Sequence, residues 1–121
     1  MPLVQHGEEP RRWKRLRIYI GESDHYHGKP LYLHLLEELR KAKVRGATVY
    51  RGIAGYGSHS VIHVPHVLRL SEDMPIVIEV VDDEENIKKA IEIARRYVKE
   101  GLVTLEDVEV LFYSHREASK K

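Results

Sequence analysis

Three sets of residues in this 121-residue chain have types and spacings that could do chemistry. The first is a glycine run, Arg51-Gly52-Ile53-Ala54-Gly55-Tyr56-Gly57. Glycine admits positive φ and lets the backbone approach a ligand closely, and successive N–H groups form a nest for an anion. The spacing is not the dinucleotide fingerprint and no helical pattern follows, so the same residues equally suit a flexible strand exit or a bulge. The second set is histidine. Of eight, His25, His27 and His34 gather around one loop and helix, and His59, His63 and His66 lie in a later polar stretch. Neutral imidazole binds zinc, copper or nickel. Neither His25-x-His27 nor the set His59, His63 and His66 forms a firm helical pair and there is no cysteine to assist, so solvated loop histidines are the simpler reading; His59, His63 and His66 are the metal-ligand candidates. The third is Glu79, a lone carboxylate in an apolar strand. Burying it is expensive unless it is paired, so either an Arg or Lys of the fold meets it or a ligand donor does. Ser23-Asp24-His25 holds the residue types of a hydrolase triad, but adjacent residues cannot fold back into one, and no catalytic residue is assigned.

The elements that must position these groups follow from periodicity. Residues 16–20 alternate as a half-buried strand, and turn formers fill Gly21-Glu22-Ser23-Asp24-His25-Tyr26-His27-Gly28. Pro30 suits a first helical turn; Leu31, Leu35, Leu36 and Leu39 recur at helical spacing, and Gly46 is expected to close the segment as a left-handed cap. A second strand spans 47–51, signals weaken over 58–75, and 76–81 is the clearest strand. Asp82 as N-cap with Glu85 reads as a capping box. Ile87, Ala90, Ile91, Ala94, Tyr97 and Val98 line one helical face, Gly101 ends it, and Val108, Val110 and Phe112 mark a last strand. The order β-α-β-β-α-β predicts an α+β, ferredoxin-like fold, an antiparallel four-stranded sheet with both helices on one face. Val77, Glu79 and Val81 share the other face of the third main strand. That face also reads as largely apolar, which favours an oligomer.

Composition sets the outer limits. The length suits one domain, with residues 1–12 as a flexible tail, 13–114 as the domain and 115–121 as a C-terminal tail. Apolar residues make up 42% and charged residues 32%, with 20 Lys+Arg against 19 Asp+Glu, a net charge of +1. That balance argues against a dedicated nucleic-acid binder, and Arg11-Arg12-Trp13-Lys14-Arg15 reads as a solubilising, partly frayed terminus. The absence of cysteine excludes disulfides. No apolar run is long enough for membrane insertion and no secretory signal is visible, so a cytoplasmic location is expected.

The glycine turn and Ile76-Val77-Ile78-Glu79-Val80-Val81-Asp82-Asp83 together resemble the PII signalling proteins. Four blocks are similar to an uncharacterised, PII-like family of unknown function: Gly21-Glu22-Ser23-Asp24-His25-Tyr26-His27-Gly28-Lys29-Pro30-Leu31-Tyr32, residues 51–57, Leu70-Ser71-Glu72-Asp73-Met74-Pro75 and residues 100–108. The resemblance implies a homotrimer binding an adenine nucleotide between subunits and relaying that state to a partner protein through a mobile loop, here 58–74. It places Thr48, Gly55, Tyr56, Gly57, Ser58, Glu79 and Val81 at the ligand. Ser58 stands where an arginine is usual, and Glu106-Asp107 where PII proteins carry a lysine-bearing phosphate loop, so AMP or ADP is favoured over ATP, with AMP first. The rival expectations are a CutA-like metal-responsive trimer using the loop histidines and a small enzyme acting on a nucleotide. No cofactor is required by any feature of the sequence.

Overall fold

A computed structural model describes residues 10–56 and 73–115. In chain order these form β1 (Arg11–Gly21), a short hairpin of β2 (His25–Tyr26) and β3 (Lys29–Pro30), α1 (Leu31–Lys41), β4 (Thr48–Arg51), β5 (Pro75–Asp82), α2 (Glu84–Tyr97) and β6 (Leu102–Val110). The main sheet has the order β4-β5-β1-β6 and every neighbouring pair is antiparallel. Each of the two β-α-β units skips one strand, and both helices land on the same face. This is the expected ferredoxin-like arrangement.

Strand alternation builds the core. Leu16, Ile18 and Ile20 of β1 and Ile76, Ile78 and Val80 of β5 face the helices, which answer with Leu31, Leu35 and Leu39 and with Ile87, Ala90, Ile93 and Ala94. All are buried.

Several boundaries differ from expectation, each for a physical reason. The basic run is not frayed: β1 starts at Arg11, and Trp13 is buried, with the Arg45 guanidinium 5.1 Å from its ring centre and Tyr113 packed at 5.7 Å. A planar guanidinium over an aromatic face turns a basic-aromatic sequence into a packed one. The last strand begins at Leu102, well before Val108, and Phe112 lies beyond it, exposed. Charges in its middle conceal it, as is usual for an edge strand. The N-cap of α2 is Asp83, whose Oδ1 accepts from the Asn86 N–H at 2.9 Å; Asp82, one residue earlier, is fully buried.

Helix α1 does not end at Gly46. Lys43 takes the left-handed position (φ +68°), with Lys43 N–H donating to Arg40 O and Val44 N–H to Leu39 O at 3.0 and 3.2 Å. That is a Schellman motif with lysine where glycine is usual. Lys43→Gly is therefore expected to raise stability by about 0.5–1 kcal/mol, read by urea unfolding, because it relieves the Cβ penalty. Gly46→Ala, whose Cβ meets nothing within 4 Å, is expected to be neutral or slightly stabilising. A loss of stability in Lys43→Gly would show that the lysine side chain outweighs its backbone strain.

Candidate functional site

The sheet face away from the helices carries the candidate site, because period two sends alternate residues of each strand there. Register sets them in rows. Thr48, Glu79, Arg17 and Thr104 lie side by side; so do Tyr50, Val77, Tyr19 and Leu102; Val81, Arg15 and Glu106 form a third row. Of the expected ligand residues, Thr48, Glu79 and Val81 are thus brought together.

Glu79 is the hub. Its Oε1 accepts from the Tyr50 hydroxyl at 2.8 Å, and its Oε2 accepts from Arg17 Nε at 3.1 Å, with Arg15 Nε at 3.5 Å. Arg15 and Arg17 each donate through a terminal nitrogen to Glu106 Oε1 at 3.1 Å. Within the chain, then, arginines of the fold meet Glu79, one of the two partners the sequence allows it. Hydrogen bonding to Glu79 raises the Tyr50 phenol above its ordinary pKa. Burial works against the Arg17 cation, yet pairing with Glu79 and Glu106 outweighs it and holds the proton more firmly.

Sequence reasoning missed Arg15, Arg17 and Tyr50, and took Glu106 together with Asp107. The signal existed: if Leu16, Ile18 and Ile20 face the core, Arg15, Arg17 and Tyr19 must share the other face. The same alternation separates Glu106 from Asp107. Asp107 pairs with Lys14 at 2.6 Å, and that pairing lowers its pKa. Lys14 also feels Glu84 at the start of α2, which puts this pair towards the helices.

Gly55 and Tyr56 lie at the other end of β4. A Cβ on Gly55 would come within 2.9 Å of Pro75 Cγ and one on Gly52 within 3.1 Å, while Gly52 N–H donates to Pro75 O at 2.7 Å. At these two glycines the close approach is to Pro75, a structural demand. Tyr56 is largely exposed. Gly57, Ser58, His59, His63 and His66 lie outside the described residues.

The loop from Gly21 to Tyr32 is ordered by its own chemistry. Asp24 Oδ2 accepts from Gly21 N–H at 3.0 Å and its carbonyl from Leu31 N–H at 2.8 Å, so Asp24 closes a turn. His25 Nδ1 bonds the Ser23 carbonyl. His27 (φ +50°) and Gly28 (φ +79°) make the tight turn of the β2–β3 hairpin. Tyr26 then stacks on His34 at 4.3 Å and meets Tyr97 edge-on at 5.0 Å, and Lys29 pairs with Glu37 at 2.6 Å. Glu22 pairs with Arg51 at 3.0 Å, and Ser23 N–H donates to Asp73 at 2.8 Å. Among the described residues there is no cluster of three metal-ligating side chains and no helix long and apolar enough to cross a membrane.

Residues 13–110 match the family described as Uncharacterized ACR, DUF190. A UPF0166 protein of Aquifex aeolicus is 42% identical over 99 residues, covering 82% of this chain and 93% of the relative. Among solved structures, CPII from Thiomonas intermedia K12 bound to ADP and bicarbonate superposes with a TM-score of 0.62 at 25% identity, covering 84% of this chain and 91% of that one. The same protein, a nitrogen regulatory PII-like protein, bound to ADP, AMP and bicarbonate gives 0.64 at 23% identity, with the same coverage. A match through nearly all of the sheet and both helices, together with a relative this similar, places the chain in the DUF190 (UPF0166) family, whose fold is PII-like.

Proposed function

We propose that this chain is a cytoplasmic PII-like regulator that binds an adenine nucleotide in clefts between the subunits of a homotrimer and passes the bound state to a partner protein through residues 58–74. The observation that carries this reading is the complex of CPII, 25% identical to this chain, with ADP and bicarbonate. By position the ligand residues are Thr48, Gly55, Tyr56, Gly57, Ser58, Glu79 and Val81. AMP is favoured because Ser58 offers no cation and because Arg15 and Arg17, on the face of Glu79, are already matched by Glu79 and Glu106. Among the described residues of that face, little free positive charge is left for a second or third phosphate. The trimer is supported by the apolar row Tyr50–Val77–Tyr19–Leu102, whose ends are 50% and 57% exposed in the single chain. No turnover is assigned.

AMP, ADP and ATP are each expected to raise the melting temperature, AMP at least as much as ATP. A ligand at about 100 times its Kd adds ~2.7 kcal/mol to the state that binds it. Calorimetry at millimolar nucleotide checks this directly. No heat from any of the three, with the protein folded, would overturn the reading. Bound metal in protein purified without a polyhistidine tag would then favour the CutA-like alternative, and product formation in a nucleotide panel the enzyme.

A further inference from the structure

We propose that Arg15 and Arg17 form a binding site for a small oxyanion on the open sheet face, and that the Glu106 carboxylate occupies it in the free protein. Two guanidinium groups standing two residues apart on one strand converge on the same pair of oxygens, Glu79 Oε2 and Glu106 Oε1. The two carboxylates are not equivalent. The Glu79 side chain is 18% exposed and its second oxygen is held by the Tyr50 hydroxyl at 2.8 Å. Glu106 stands on the edge strand, is 51% exposed, and engages both arginines through one oxygen. Glu79 is therefore the fixed wall of the site and Glu106 the displaceable occupant.

Magnitudes favour exchange. An exposed ion pair contributes little, because water screens it and two long side chains must be held in one geometry. A phosphate monoester brings about −1.5 to −2 charges and three acceptor oxygens, and its charge-assisted bonds to arginine are individually stronger. Each guanidinium has five N–H donors, so most remain for an incoming anion. Thr104, directly across from Arg17, brings a hydroxyl to the same row. With Glu106 displaced, two cations face one carboxylate, a net charge of +1. That suits a singly or doubly charged oxyanion, inorganic phosphate or a phosphate monoester, and gives little to a polyphosphate. The inference rests on the proposed function only for the source of the phosphate, the nucleotide itself.

The test is titration calorimetry at constant ionic strength with inorganic phosphate, AMP and adenosine. Wild type, Glu106→Gln, Glu106→Ser and Arg17→Gln are compared after circular dichroism confirms folding. Glu106→Gln and Glu106→Ser are expected to bind phosphate and AMP about tenfold more tightly than wild type, because the competing carboxylate is gone and both guanidinium groups remain. Adenosine affinity stays unchanged, and Arg17→Gln weakens phosphate binding about tenfold. If both Glu106 variants fold and bind phosphate no better than wild type, the site is overturned, even where AMP still binds and the nucleotide reading survives. If phosphate affinity rises as expected but AMP never binds, the oxyanion site stands and the nucleotide reading falls.

Discussion

Asp82→Ala is expected to lower the unfolding free energy by about 2–4 kcal/mol, the largest loss of any single polar side chain among the described residues. Asp82 is fully buried, and its carboxylate gathers donors from three directions. Oδ2 accepts from the Arg45 N–H at 2.8 Å and from Asn86 Nδ2 at 3.1 Å, and Oδ1 accepts from the Asp83 N–H at 2.7 Å and from the Arg45 guanidinium. Alanine would strip acceptors from two backbone N–H groups, one before β4 and one at the start of α2, and would leave Arg45 to Asp83 alone. Arg45 is partly exposed, which keeps the loss below that of a fully buried pair. Asp82→Asn retains one carbonyl acceptor and should lose roughly half as much. Urea unfolding at fixed protein concentration reads both. A change below 0.5 kcal/mol (roughly the effect of an ordinary surface substitution) would mean that water replaces the carboxylate. Asp83 adds a pH dependence. The Asn86 N–H and then Arg45 hold its carboxyl below the usual range, so its contribution is present above the unfolded pKa of about 4 and fades as pH falls through the lower folded value. Its partial exposure keeps that contribution small.

This corner shows where the sequence was legible and where it was not. Two aspartates, the last residue of β5 and the one after it, announce a helix start, but pattern alone cannot say which of the neighbours caps and which is buried. That depends on Arg45, thirty-seven residues away from Asp82 in the chain. The apolar stripes of both helices and the alternation in β5 were plain because they are local. β1 and β6 were cut short because their polar residues are paired across the sheet, Lys14 with Asp107 and Arg15 with Glu106. A run of charges looks solvated until its partner strand is known.

The candidate site divides in the same way. Glu79 stood out as a lone carboxylate in an apolar strand, Thr48 and Val81 came from the resemblance to PII proteins, and register brings all three onto one sheet face. Of the arginines that meet Glu79, Arg15 ends the basic run and Arg17 lies in the strand read over 16–20, and their shared role needed the period-two reading extended back to Arg15. Glu106 and Asp107 looked like one acidic element and are two, on opposite faces. Gly52 and Gly55 were legible as a close backbone approach, but not that Pro75, twenty or more residues on, lies where a Cβ would fall.

The alternation that hid the arginines also revises the argument for assembly. The open face is not uniformly apolar, as β5 alone suggests, because the row through Glu79 is charged. Its apolar part is the neighbouring row, Tyr50–Val77–Tyr19–Leu102. Val77→Lys, in the middle of that row, is expected to convert an assembly of about three times 14.1 kDa into single chains. A lysine placed between Tyr50 and Tyr19 beneath a second subunit would be a desolvated charge with no carboxylate on its row, at a cost of several kcal/mol per subunit. On a free face the same lysine would bury its stem and lift its ammonium into water, with little effect. The substitution therefore distinguishes a covered face from an open one. Leu33→Lys, at an exposed position on α1, controls for added charge and should leave the assembly intact. Light scattering at micromolar concentration, with circular dichroism for folding, reads the result. A monomeric wild type, or a Val77→Lys protein that keeps both its mass and its melting temperature, would show that this row is not the subunit interface.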